Sequence, residues 1–230
     1  MQASALDRVM LVAAVSLLGF AAYSQIVPTG ETGKTSEARR DVTVPVSEWK
    51  RITTVTGDSL GDAGVGVTTL HTVVVFSDFE CPMCKRFEEM SLSAAREQYG
   101  TDLTVVYRHW PLGYHRGARA AAIASECARI QAAFPSMAAE LFEEQPTLSS
   151  RDEYWTIAAR AGVRDSVAFV DCVASPGPQL ALARDSALRT LLPREPTGTP
   201  TVLVDGVMLG RVPSPDQLLE LLGRSSTPHR

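Results

Sequence analysis

The cysteine pair at Cys81 and Cys84 constrains the fold of this chain more than any other feature of its sequence. An apolar run at residues 71–76 precedes the pair and predicts a strand, and an amphipathic run at residues 85–99 follows it and predicts a helix. At such a junction the first sulfur lies at the helix N-terminus, where unpaired backbone N–H groups and the helix dipole favour a thiolate. Pro82 suits the first helical position, which needs no N–H. The spacing therefore predicts a redox-active dithiol, with Cys84 one turn deeper than Cys81.

Two other uses of a C-x-x-C pair are considered. A zinc site would need a second close pair, and the remaining cysteines, Cys127 and Cys172, stand alone in the sequence. A purely structural local disulfide is the other alternative, although the two-residue spacer forms a small ring that suits opening and closing. We expect no metal and no bound cofactor.

The helix after the pair is predicted to pack on a sheet through one apolar face. Met83, Phe87, Met90 and Ala94 recur at helical spacing and define that face. Phe76 and Phe79, just before the cysteines, are interpreted as core residues.

The N-terminal part of the chain predicts export. Residues 9–27 are almost wholly apolar, a length between that of a signal-peptide core and that of a membrane span, and we favour an uncleaved anchor over a cleaved signal. Residues 28–45 have the composition of a solvated linker, so we expect a domain at residues 46–230. A net charge of −4 and an isoelectric point near 5.6 argue against nucleic-acid binding.

Periodicity along residues 46–230 predicts a mixed α/β domain. A strand, helix and strand come first, a block of helices second, and a hairpin around Asp205-Gly206 with a final helix last. The predicted strands are at about residues 52–56, 72–76, 103–107, 201–204 and 207–209. The helices after the second of these strands are predicted at about residues 85–99, 116–133, 136–144, 151–161, 165–173, 179–192 and 215–222.

Four sequence blocks together resemble the DsbA-like branch of the thioredoxin superfamily. They are Phe76-Ser-Asp-Phe-Glu-Cys-Pro-Met-Cys84, Tyr107-Arg-His-Trp-Pro-Leu112 with His115 and Ala118, Glu126-Cys127-Ala128, and Gly198-Thr-Pro-Thr-Val-Leu-Val-Asp-Gly206. The resemblance spans about residues 49–222 and implies a thioredoxin-like fold with a helical insertion at about residues 114–192. It also implies an exported thiol:disulfide oxidoreductase in which Cys81 attacks and Cys84 resolves. Thr199 and Pro200 would then form a cis-proline loop that binds substrate beside the two sulfurs.

The chain departs from that resemblance at Val75. Many of the thioredoxin-like enzymes that the chain resembles have a buried carboxylate at this position, six residues before the first active cysteine. That carboxylate helps to move protons for the resolving thiol. Asp78 and Glu80 are the nearest acids in the sequence and could take a similar part, but we predict that both are solvated loop acids. His109 and His115 are interpreted as organisers of the loop after the third strand, with stabilisation of a thiolate as the alternative.

Cys127 and Cys172 form a second constellation. Each lies on an apolar face of a predicted helix, so both sulfurs are expected to point inward. In an oxidising compartment such a pair is typically bridged, and we predict a structural disulfide. Two free buried thiols and a second redox pair are the alternatives.

These observations favour a membrane-tethered, extracytoplasmic oxidoreductase that exchanges disulfides with exported proteins through a mixed disulfide. A separate redox partner, membrane-bound or soluble, would reset the cysteine pair. Lys85 and Arg86 are the nearest cations to the pair, which favours the oxidase direction only modestly. The rival hypothesis is a tethered client-binding chaperone or assembly factor, or a reductase or isomerase, on the same fold.

Overall fold

The computed structural model describes residues 40–54, 69–145 and 151–224. The predicted signal or anchor at residues 9–27 and most of the predicted linker lie outside these ranges. Inside them, no helix combines the length and the apolar character needed to cross a membrane.

Five strands within the described ranges form one mixed sheet in the order β1-β5-β4-β2-β3. Strands β2 and β3 are parallel, and the other neighbours are antiparallel. The strands are β1 (Val42–Thr43), β2 (His71–Ser77), β3 (Leu103–His109), β4 (Thr201–Val204) and β5 (Val207–Met208). The continuous apolar run in β2 suits a strand that has neighbours on both edges and side chains packed on both faces.

The helices confirm the predicted mixed α/β fold with a helical insertion between β3 and β4. Helix α2 begins as Pro82–Arg86, passes through a π-helical turn at Phe87–Leu92, and ends as Ser93–Tyr99. The others are α1 (Val46–Thr53), α3 (Ala118–Ile130), α4 (Phe134–Glu144), α5 (Arg151–Arg160), α6 (Ser166–Ala174), α7 (Gly177–Arg189) and α8 (Pro215–Arg224).

The sheet separates two apolar cores. Alternate residues of β2 and β3 point to opposite faces, as the two-residue period of a strand requires. One face, which includes Val73 and Val75, packs against α2, α8 and helices of the insertion. The other face, which includes Val74 and Phe76, packs against α1 and the end of α7.

The strand predicted at residues 52–56 is wrong. Residues 46–53 form α1, which starts after Pro45 and buries Ile52 completely against the second core. Sheet residues also occur before the predicted domain start at residue 46. Strand β1 pairs with β5, and the Asp41 carboxylate accepts the backbone N–H of Gly210 at 2.7 Å.

The predicted packing face of α2 is also wrong in part. Met83 and Met90 are about half exposed, whereas Phe87 is buried as expected. The π-helical turn widens the helix locally, so the buried positions run through Cys84, Phe87, Leu92 and neighbouring small residues. The two methionines therefore form an outer surface of the helix.

The predicted bridge between Cys127 and Cys172 is present in the helical insertion. It joins α3 to α6 across 45 residues of sequence. Cys127 is buried, as expected, but Cys172 is only partly buried and lines a surface cavity.

Candidate active site

The two cysteines lie where β2 gives way to α2. Strand β2 ends at Ser77, a short loop follows, and Cys81 caps α2 with an extended backbone, so that Pro82 is the first helical residue. Both cysteines are unbridged thiols, with Cys84 the more deeply buried. The sheet therefore holds the pair at the carboxyl end of a central strand.

The environment of the Cys81 sulfur favours its thiolate. Hydrogen bonds from the Cys84 thiol, the Thr199 side chain and the backbone N–H groups of Cys84 and Met83 outweigh burial. They lower the pKa of Cys81 from 9.0 to about 5, and the bond from Cys84 has the largest effect. In its protonated form the Cys81 thiol donates instead to the backbone carbonyl of Thr199 at 3.4 Å.

The Cys84 sulfur behaves in the opposite way. Burial raises its pKa, and the hydrogen bond with Cys81 raises it further. The Ser77 hydroxyl and the backbone N–H of Asp78 lie close to this sulfur and act against that shift. Cys84 is therefore a thiol that gives up its proton only with help from its surroundings.

The predicted cis peptide bond between Thr199 and Pro200 is present, directly before β4. The Thr199 hydroxyl is buried and has no oxygen or nitrogen partner among the described residues, so the neighbouring Cys81 sulfur is the acceptor that it can reach. The structure thus brings Thr199 and Pro200 to the cysteine pair, as the family resemblance implied.

The prediction that Asp78 is a solvated acid is wrong. Asp78 is 2% exposed, and its carboxylate accepts the backbone N–H of Glu80 at 2.8 Å and that of Leu112 at 2.7 Å. It also bonds to Nδ1 of His115 at 2.9 Å. Asp78 therefore ties the loop before Cys81 to the loop after β3, and His115 is a loop organiser as expected.

Glu80 is likewise a structural acid rather than a solvated one. Its carboxylate accepts the backbone N–H groups of Gly117 and Ala118, each at 2.7 Å. These two groups form the N-terminus of α3, which has no cap from its own side chains. The active-site loop thereby supplies the cap of the first insertion helix.

A buried charged cluster lies near the pair and was not predicted. Nε2 of His109 bonds to the Glu126 carboxylate at 2.8 Å, and Arg129 donates to the same carboxylate at 3.0 Å. Burial opposes the charge of Glu126, yet His109 and Arg129 outweigh it and lower the pKa of Glu126 to about 2. The resemblance included Glu126, but neither spacing nor periodicity shows that it meets His109.

A small groove beside the pair was also missed. It has a volume of about 220 Å³ and runs along the outer face of α2 and the segment before α8. Its apolar lining includes Met83, Met90, Val212, Pro213 and Pro215. In the part of the chain that the structure describes, no cluster of histidine, cysteine or acidic side chains has the arrangement of a metal site.

Comparison with known proteins agrees with this geometry. The model of the family described as thioredoxin matches residues 66–224, well over half of the chain. The chain belongs to the thioredoxin family. Solved structures of DsbA proteins from Wolbachia pipientis have a similar fold.

Two solved structures illustrate the shared thioredoxin-like fold. A periplasmic thioredoxin-like protein from Salmonella enterica serovar Typhimurium has a TM-score of 0.62 and 14% identity, over 80% of this chain and 99% of the other. The thiol-disulfide exchange protein α-DsbA2 from Wolbachia pipientis has a TM-score of 0.61 and 13% identity, over 85% of this chain and 98% of the other.

Among curated proteins, the Na(+)/H(+) antiporter NhaA 1 of Mycolicibacterium vanbaalenii is 43% identical to this chain over 89 residues. The match covers 38% of this chain but only 14% of the antiporter. The similarity is therefore confined to a small part of a much longer protein.

Proposed function

We propose that this protein is an extracytoplasmic thiol:disulfide oxidoreductase that oxidises exported proteins, with Cys81 forming the mixed disulfide and Cys84 as its resolving partner. The observation that carries the proposal is the difference between the two sulfurs. Cys81 caps a helix N-terminus with a pKa of about 5, while Cys84 lies deeper with a raised pKa.

The oxidation of a client proceeds by two exchanges. A client thiolate attacks Cys81 in the Cys81–Cys84 disulfide, and Cys84 leaves as a thiolate that takes up a proton. A second client thiolate then attacks the client sulfur of the mixed disulfide, and Cys81 leaves as a thiolate. The client has lost two electrons and the enzyme has gained them, so a redox partner must remove them.

The lowered pKa of Cys81 supports the oxidase direction. A stable thiolate favours the dithiol form of the enzyme, which makes its disulfide a stronger oxidant. After allowance for solvent near the sulfur, the gain at pH 7 is about 1 to 2 kcal/mol, or about 20 to 45 mV.

The extracytoplasmic location is supported by sequence, structure and similarity. Residues 9–27 predict an anchor or signal, and the Cys127–Cys172 bridge suits an oxidising compartment. The Salmonella protein of the same fold is periplasmic. The similarity to part of an antiporter also suits a domain held at a membrane.

Replacement of Cys84 by Ala tests the exchange chemistry. Cys81 can then still form mixed disulfides, but intramolecular resolution is lost, so covalent adducts with exported proteins should accumulate. Non-reducing gels of cells that carry the variant would show them, and reductant should release the clients for identification.

Cys81→Ala is the matched control, because it removes the sulfur at the helix N-terminus and leaves the more deeply buried one. We expect no adducts from it. Adducts with Cys81→Ala but not with Cys84→Ala would reverse the two roles, and adducts with neither variant would favour the chaperone hypothesis.

Reporter fusions test the location. A reporter that is active only outside the cytoplasm, joined after Ser47, should be active, and one that is active only in the cytoplasm should be silent. The opposite pattern would contradict an extracytoplasmic domain.

A further inference from the structure

The buried position of Cys84 creates a requirement for a proton acceptor. Cys84 must lose a proton before it attacks a mixed disulfide and regain one when it leaves, yet it is 2% exposed. Val75, on the same face of β2, cannot serve as an acceptor. Two polar side chains hydrogen-bond to the Cys84 sulfur. One is Cys81, its redox partner, and the other is Ser77, through its hydroxyl.

A buried imidazole, that of His109, lies on the strand next to Ser77. Ser77 and His109 are opposite each other in the parallel register of β2 and β3, where neighbouring strands are about 4.8 Å apart. Both residues follow the alternation of Val73, Val75 and Tyr107, so their side chains lie on the face that holds the cysteines. The Ser77 and His109 side chains are therefore neighbours on this face of the sheet.

The partners of His109 leave one ring nitrogen able to accept a proton. Glu126 stays ionised and can only accept, so Nε2 of His109 carries the hydrogen of their 2.8 Å bond. In a neutral imidazole the other nitrogen, Nδ1, is then an acceptor. The charge of Glu126 would balance the imidazolium that forms.

Other charged groups lie close to His109. Arg129 bonds to Glu126 and lies over the ring of Phe134 at 3.5 Å, and the Asp185 carboxylate accepts the backbone N–H of His109 at 2.8 Å. Arg108, the preceding residue of β3, points to the opposite core and bonds to Asp185 at 3.4 Å. Arg184 also pairs with Asp185, at 3.2 Å, so Glu126 is the carboxylate that faces the imidazole ring itself.

The cluster of His109, Glu126 and Arg129 also reaches a surface cavity, and the lining of this cavity does not include Cys81 or Cys84. A cavity of about 680 Å³ between α3, α6 and α7 is lined by Glu126 and Arg129. A proton held at the His109–Glu126 pair can therefore exchange with water without passing the redox site.

We propose that His109, held by Glu126, takes the proton of Cys84 through the Ser77 hydroxyl, in place of the carboxylate that Val75 does not provide. This inference rests on the exchange chemistry proposed for Cys81 and Cys84. During resolution the Cys84 thiolate attacks the Cys81 sulfur, the Cys81–Cys84 bond forms, and the outgoing thiolate leaves. The proton passes by way of Ser77 to His109, and from there to water in the cavity.

The test uses the full chain in its dithiol form and dithiobis-nitrobenzoate as the probe. Attack by Cys81 releases a first coloured thiolate in a phase that depends on probe concentration. Attack by Cys84 then releases a second thiolate in a unimolecular phase. Stopped-flow absorbance across a range of pH separates the two phases.

For His109→Gln we expect the second phase to slow at least tenfold and to lose one inflection of its pH profile, while the first phase is unchanged. Ser77→Ala should have the same effect, because it breaks the same route. Glu126→Gln should retain the hydrogen bond but move the inflection, because it removes the balancing charge.

His71→Gln is the matched control. His71 is also a buried histidine on the sheet, bonded to Asp205 at 2.9 Å, but it lies at the opposite end of β2. It should lower stability without any change in the pH profile of the second phase. Thermal unfolding of each variant checks that the fold is kept, and Ser77→Ala carries the test if His109→Gln does not fold.

A second phase that keeps its wild-type pH profile in Ser77→Ala and His109→Gln would overturn the inference. So would an equal slowing at every pH with the inflection unmoved. The function proposed above fails differently, because the absence of the first phase would show that Cys81 is not a nucleophile.

Discussion

At the scale of single residues, one helical turn separates two sulfurs with opposite acid–base properties. Cys81 receives hydrogen bonds at the helix N-terminus, while Cys84 is buried and donates one of them. The same bond therefore lowers one pKa and raises the other. The pair carries a single shared proton over a wide range of pH, and that proton belongs to Cys84.

Removal of the Cys84 thiol should raise the pKa of Cys81, because it removes the largest stabilising hydrogen bond. In the wild type we expect the thiolate to be half formed at pH about 5. In Cys84→Ala the midpoint should be higher, and in Cys84→Ser, which restores a hydroxyl donor, it should be intermediate.

Ultraviolet absorbance of the thiolate during a pH titration measures these midpoints. Cys127 and Cys172 are bridged and contribute no thiolate, so the signal of Cys84→Ala reports Cys81 alone. An unchanged midpoint in Cys84→Ala would contradict the assigned cause of the shift.

At the scale of elements, Arg108 holds three parts of the fold together. It lies on β3 and is 2% exposed, and its guanidinium donates to the backbone carbonyl of Ile52 at 3.0 Å and that of Thr54 at 2.9 Å. These carbonyls lie at the C-terminal end of α1, where the last carbonyl groups of a helix need partners from outside it. The same guanidinium pairs with Asp185 of α7. Burial lowers the pKa of Arg108, and Asp185 opposes that shift.

Arg108→Met should destabilise the domain strongly, because it leaves Asp185 buried beside an apolar side chain and frees the carbonyls of α1. We expect a loss of about 3 to 5 kcal/mol in the free energy of unfolding. Urea unfolding of the full chain measures it.

Arg160→Met is the matched control for that variant. Arg160 also makes two ion pairs, with Glu140 and Glu144, but on the surface. Exposed pairs of this kind contribute little to stability, because solvent screens them. Similar losses for the two arginine variants would show that burial does not decide the contribution of Arg108.

At the scale of the whole molecule, the shared proton determines how the redox equilibrium responds to pH. The pKa of Cys81 is lowered, so its thiolate stabilises the dithiol form above pH 5, and this contribution is lost as the pH falls through about 5. Between about pH 5 and pH 9, reduction therefore takes up one proton for two electrons. Below pH 5 it takes up two.

The reduction potential should follow this proton count. We expect it to fall by about 30 mV for each pH unit above pH 5 and by about 59 mV for each unit below, as the two-electron relation requires. Equilibration with glutathione buffers of known composition measures it. A single slope of about 59 mV per unit throughout would show that Cys81 is protonated at neutral pH.

The extent to which the sequence predicted the fold depends on how local each signal is. The strand before Cys81, the helix after it and the hairpin at Asp205-Gly206 were all predictable, since each follows from neighbouring residues. Helix α1 was not, because its apolar residues are few and its end is completed by Arg108, more than fifty residues away. The exposure of Met83 and Met90 depends on a π-helical turn that periodicity does not reveal.

For the site, the sequence by itself predicted a dithiol at a helix start, the order of its two sulfurs and an oxidising compartment, because these predictions follow from residue types at short spacing. Tertiary structure alone decided that Asp78 and Glu80 are bound by backbone N–H groups of distant loops. It also decided that His109 meets Glu126 beside Ser77. The physical reason is that the burial and pairing of a polar group depend on which elements the sheet brings together. The residues next to that group in the sequence do not reveal those elements.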